Sequence, residues 1–123
     1  RMNAQEVENL KYQIAQVLDE KNAIDIKILK VGEMTIVADY FIICTGKSNQ
    51  HVKALADNLI EKMEELGVTA LRSDGIRDGK WAVVDYGSIM VHIFNDETRL
   101  FYCLEKLWTN EEGTNLETYK KDE

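Results

Sequence analysis

The sequence predicts an α/β domain: a mixed β-sheet of about five strands flanked by helices. Three observations predict it. Two stretches, Asn3 to Asn22 and Ser48 to Gly67, repeat apolar residues every three and four positions, the period of an amphipathic helix. Ile24 to Ile28 and Trp81 to Phe94 show the period of two that marks strands. Between the helical stretches, residues 38–45 are apolar almost throughout, as a strand covered on both faces would be.

Taken in order, the first helix carries Val7, Leu10, Ile14, Val17 and Leu18 on one stripe, and Asn3 with Glu6 makes a cap and its reciprocal acid. Ile24-Asp25-Ile26-Lys27-Ile28 alternates as a half-buried strand. The run Ala-Asp-Tyr-Phe-Ile-Ile-Cys-Thr at 38–45 is the covered strand, and Gly46-Lys47 turns the chain. Ser48 caps a second helix with Val52, Leu55, Ala56, Leu59, Ile60, Met63 and Leu66 on its stripe, and Gly67 ends it. Val68 to Leu71 is expected to be a short strand, completing a strand-helix-strand unit. Trp81–Tyr86 and Ile89–Phe94 are two strands joined by Gly87-Ser88, a two-residue hairpin signal. Asn95 or Asp96 caps a third helix with Leu100, Phe101, Leu104, Leu107 and Trp108 as its apolar positions. Residues 1–108 are thus expected to form a single domain, and the acidic stretch 109–123 a flexible tail.

Composition excludes several functions. With 15 Lys and Arg against 22 Asp and Glu, the net charge of −7 argues against general nucleic-acid binding, which depends on cationic side chains displacing counterions. Binding to a membrane through a basic patch fails for the same reason. No apolar stretch approaches the ~20 residues of a spanning helix, and no charged-then-apolar segment opens the chain. Cys44 and Cys103 sit in apolar runs and are expected to be buried thiols of a reducing compartment, so the chain is expected to be cytoplasmic.

Signals for chemistry are weak. Thr45-Gly46-Lys47-Ser48 lies between a strand and a helix, but a phosphate-binding loop needs a glycine where Phe41 stands. His51, His92, Cys44 and Cys103 fall in no metal-ligand spacing. No strand carries two carboxylates one residue apart: two residues after Asp25 stands Lys27, after Asp39 Phe41 and after Asp85 Gly87. His92 is expected to be a partnered structural histidine. No catalytic residue, cofactor or metal is expected.

Binding signals are stronger. A two-residue turn pairs Tyr86 with Ile89, Asp85 with Met90, Val83 with His92 and Trp81 with Phe94. One hairpin face is then aliphatic, with Ala82, Val84, Tyr86, Ile89, Val91 and Ile93. The other mixes Trp81, Val83, Asp85, Met90, His92 and Phe94, a composition expected of an interface centre.

These residues carry a resemblance. Ile36-Val37-Ala38-Asp39-Tyr40-Phe41-Ile42-Ile43-Cys44-Thr45-Gly46, then Ser48-Asn49, resembles a signature of the Iojap family, the ribosomal silencing factor S proteins. So do Gly79-Lys80-Trp81-Ala82-Val83-Val84-Asp85-Tyr86-Gly87, Val91-His92-Ile93-Phe94 and the stretch from Glu97 to Trp108. The match runs from about residue 5 to 110 and leaves out the tail. The resemblance implies a fold with a nucleotidyltransferase-like outline that lacks catalytic carboxylates. It also implies a repressor of translation that binds the large ribosomal subunit through its universal protein number fourteen and blocks joining of the small subunit. Partner-binding residues are expected to be Trp81, Asp85, Tyr86, Met90, His92, Phe94, Arg99 and Tyr102, with little direct RNA contact and a homodimer in isolation. Two other classes remain open: a degenerate nucleotide-binding or nucleotidyltransferase-like protein, and a dimeric adaptor.

Overall fold

The computed structural model describes residues 2–121. Helix α1 (Ala4–Glu20) opens on the expected capping box: the Asn3 side chain accepts from the Glu6 N–H, and the Glu6 carboxylate accepts from the Asn3 N–H. Helix α2 (Asn49–Glu65) is capped by Ser48, whose hydroxyl accepts from the His51 N–H. The apolar stripes of both helices lie on one face of a six-stranded sheet.

The strands are β1 (Ile24–Lys30), β2 (Tyr40–Gly46), β3 (Arg72–Asp74), β4 (Trp81–Asp85), β5 (Ile89–Asn95) and β6 (Leu116–Thr118), in the order β3-β4-β5-β2-β1-β6. The sheet is mixed. β2 and β5 are its parallel central pair, and the other neighbours are antiparallel. Burial on both faces explains why β2 reads as an unbroken apolar run: Ile42 and Cys44 point to α1 and α2, whereas Phe41 and Ile43 point to the opposite side. There a second layer is laid down by α3 (Asp96–Tyr102) and α4 (Leu104–Trp108), with Leu104 and Trp108 packed on the cluster.

Four expectations need correction. The sheet gains a sixth strand from the segment expected to be a loose tail: β6 pairs with β1, Asn115 donates its side-chain amide to the carbonyls of Lys30 and Trp108, and the Tyr12 hydroxyl donates to Glu117. Backbone and amide bonds, not an apolar run, hold it. The strand expected at Val68–Leu71 begins at Arg72, because Val68–Ala70 leads from the α2 terminus to the sheet edge. The third helix is broken at Cys103, which takes a left-handed conformation (φ +46°). Finally, Cys103 is only half-buried, while Cys44 is fully buried and its thiol pushed up to about 12 by desolvation.

Candidate partner-binding surface

The Gly87-Ser88 turn sets the geometry of the hairpin. Gly87 holds φ +84°, a left-handed conformation that a glycine adopts without steric cost, and the Tyr86 N–H donates to the Ile89 carbonyl across the turn. Trp81 therefore lies opposite Phe94, Val83 opposite His92 and Asp85 opposite Met90, the register expected from a two-residue loop. The aliphatic face is fully covered by α1 and α2.

The second face is not free. α3 and α4 and the β1–β2 connection cover most of it, and six of the residues expected to meet a partner are built into the fold. Phe94 is completely buried and Met90 nearly so. His92 sits edge-on to Phe41 at 4.9 Å, and its Nδ1 accepts from the Trp81 indole N–H at 3.1 Å. Desolvation pulls the His92 pKa down to about 4, so the ring is neutral at pH 7, and its buried Nε2 has no partner among the described residues. Asp85 serves the turn, accepting from the Gly87 N–H at 2.8 Å and from Arg72 Nε at 3.1 Å. Tyr86 faces the other way, into the α1–α2 core, where burial first and Glu64 second push its hydroxyl up to about 12. Arg99 is buried against β1 and β2.

What remains at the surface is a ramp of rings climbing out of that core. Buried Phe94 stacks on half-buried Trp81 (centroids 4.9 Å, planes 29° apart); Trp81 meets Tyr102 at 4.8 Å; Tyr102 meets Phe101 edge-on at 5.0 Å. Exposure rises along the series, to 46% at Tyr102 and 78% at Phe101. Leu100 and Leu107 stand exposed beside it. A cleft of about 320 Å³ runs along Phe101 and Tyr102, with Lys80, Asn95, Glu97 and Thr98 as its polar walls. Of the residues expected to meet a partner, Trp81 and Tyr102 are the two that reach the surface on this ramp. Leu100, Phe101 and Leu107 were expected as the buried stripe of a continuous helix, but the break at Cys103 turns Leu104 and Trp108 inward and leaves these three outside.

Groups capable of chemistry elsewhere in the chain are engaged in structure. His51 Nδ1 accepts from the Lys47 N–H and its Nε2 donates to the Lys21 carbonyl, both at 2.8 Å, so the ring clips the α1–β1 turn to α2. Gly46 is required by packing: a Cβ there would lie 2.9 Å from Val52. Among the described residues no three His, Cys, Asp or Glu side chains converge as a metal site, and no helix is long and apolar enough to cross a membrane.

Fold and surface define a three-layer α/β domain whose histidines are engaged within the fold and whose exposed surface carries the Tyr102–Phe101 ring pair. The chain belongs to the family described as ribosomal silencing factor during starvation (RsfS), whose model matches residues 4–123 and so includes the segment expected to lie outside it. It is similar to the ribosomal silencing factor RsfS of Bacillus subtilis, at 38% identity over 94 residues, which span 76% of this chain and 80% of that one. The mouse protein named mitochondrial assembly of ribosomal large subunit protein 1 is 33% identical over 99 residues, 78% of this chain and 43% of its own length. A crystal structure from Chromobacterium violaceum superimposes with a TM-score of 0.80 at 34% identity over 89% of each chain.

Proposed function

We propose that the protein docks on the large ribosomal subunit through the Trp81–Tyr102–Phe101 ramp and, by occupying that face, blocks joining of the small subunit. It represses translation by occupancy, without turnover. The observation that carries this reading is the exposed aromatic patch on an acidic domain. Large rings projecting from a rigid base are typical anchors of a protein interface. Asp96 and Glu97 set negative charge in the first turn of α3, on the same helix as Phe101. With a net charge of −7, Coulomb attraction favours a basic protein over RNA, whose phosphates would repel the domain. The universal large-subunit protein number fourteen, implied by the family resemblance, is the partner proposed. Relatives named ribosomal silencing factors support the ribosome as target, and the mouse relative's name points to the large subunit. In isolation the same patch would pair two copies.

Co-sedimentation with isolated large subunits, isolated small subunits and joined ribosomes tests the proposal. Binding to free large subunits with little binding to joined ribosomes is expected. Equal binding to small subunits would overturn it.

A further inference from the structure

We infer that Arg99 is a positioning residue for this surface: its guanidinium locks the break between α3 and α4 and so holds Leu100, Phe101 and Tyr102 outward. The inference rests on the functional reading above and says how that site is kept in shape. Arg99 was expected to touch the partner, yet it is 93% buried and its donors are spent inside the chain.

Nη1 donates to the Asp25 carbonyl at 2.7 Å and to Thr45 Oγ1 at 2.9 Å, and Nη2 pairs with Asp25 Oδ2 at 3.1 Å. Nε and Nη2 both reach Glu105 Oε2, at 3.1 and 2.8 Å. One planar fork therefore ties α3 to the first turn of α4 and both to the sheet, a pattern that lysine's single ammonium does not reproduce.

The two backbones it joins are both strained. Asp25 (φ +50°) and Cys103 (φ +46°) are non-glycine residues in the left-handed region. Such residues persist only where surrounding contacts over-determine them. Asp25 lies in an irregularity of the β1–β2 ladder, between Ile24 and Lys27, and Arg99 takes up the Asp25 carbonyl there. The Cys103 N–H donates to Arg99's own carbonyl at 3.0 Å, and Glu105 follows two residues later. Beside the packing of Leu104 and Trp108 and the Asn115 amide on the Trp108 carbonyl, the fork is the charged contact that spans the break, and its loss weakens the hold on residue 103. The angle between α3 and α4 would then no longer be fixed, α4 would loosen from the sheet, and Leu100–Tyr102 would no longer be held on the ramp.

The test uses the full chain with Arg99→Lys, Glu105→Gln and the pair Arg99→Lys/Cys103→Gly. Hydrogen exchange on the free protein is read together with large-subunit affinity. Arg99→Lys is expected to lose protection at 104–108 while α1, α2 and the central strands keep theirs, and to bind about tenfold more weakly. Glu105→Gln should do the same to a smaller extent, and covers the case in which Arg99→Lys does not fold. Adding Cys103→Gly, which adopts the left-handed conformation freely, should recover part of the lost affinity; a merely stabilising role for Arg99 predicts no such rescue. Wild-type affinity in Arg99→Lys or Glu105→Gln would overturn the inference, as would protection lost uniformly through the chain. Failure of the wild type to bind large subunits would sink the functional reading alone, because exchange on the free protein still reports the break.

Discussion

Phe101→Ala separates binding from folding more cleanly than any other substitution on this surface. The ring is 78% exposed, and its recorded ring contact is the edge-on one with Tyr102. Removing it forfeits at most the ~0.5–1.5 kcal/mol of an aromatic pair, a drop of a few degrees in melting temperature for a domain of this size. Against a partner the same ring has much more to lose. A phenylalanine buries about 200 Å², so its exposed share is on the order of 150 Å², worth about 4 kcal/mol gross at ~25 cal/mol/Å². Ordering the side chain and imperfect desolvation reduce that, leaving roughly the 2 kcal/mol of an interface anchor. The expected result is a dissociation constant for isolated large subunits about thirtyfold higher, measured by titration and sedimentation beside a thermal melt. An unchanged dissociation constant would refute the assignment of the ramp. A melting point lower by 10 °C or more would refute the claim that Phe101 is free of the core.

Trp81→Ala should show both defects together. It removes stacking on Phe94 and leaves His92 Nδ1 unpaired, so a melt roughly 10 °C lower is expected with the weaker binding. Acid should destabilise the fold through His92. Its folded pKa of about 4 lies below the ordinary 6.5, so the unfolded chain takes up a proton that the folded one refuses between those values. Stability is complete above pH 6.5 and falls toward pH 4 by on the order of 3 kcal/mol; a His92→Gln variant, melted across that range, should lose the slope. Gly75→Ala and Gly67→Ala make a matched pair, both at positive φ (+74° and +86°). A Cβ on Gly75 would meet the Trp81 carbonyl at 2.0 Å, whereas Gly67 has open space, so urea melts should show about 1 kcal/mol lost at Gly67 and clearly more at Gly75.

Much of the fold was legible because local signals agreed with one another. Asn3 with Glu6, Ser48, and Gly87-Ser88 each dictate a geometry within four residues, and the hairpin register followed from the turn alone. β6 was illegible for the opposite reason. Three residues with one apolar side chain carry no period, and what holds them is the Asn115 amide and the free edge of β1, neither of which the tail's own composition announces. The break at Cys103 was hidden in the same way. No glycine or proline marks it, and the residues 100, 101, 104, 107 and 108 make a credible stripe for an unbroken helix. An arginine four residues past the Asn95 cap gives no hint that it will reach across to Asp25 and Glu105.

That hidden break is why the mixed hairpin face, expected to meet a partner, lies beneath a further layer. Composition correctly separated an aliphatic hairpin face from a mixed aromatic one, but a mixed face can be covered as well as exposed. Here α3 and α4 cover it and pass its aromatic character outward through stacked rings. The position of a ring along Phe94, Trp81, Tyr102 and Phe101 then decides what its loss should disturb. Truncating Phe94, with no exposed area, acts on stability alone, and its binding defect should follow the unfolded fraction. Trp81, between Phe94 and Tyr102, acts on both quantities. Phe101 acts on affinity. Measured as the ratio of affinity loss to stability loss, the four alanine variants should rise in that order. A ratio that peaked at Phe94 or stayed flat would mean that the partner contacts some other surface of the domain.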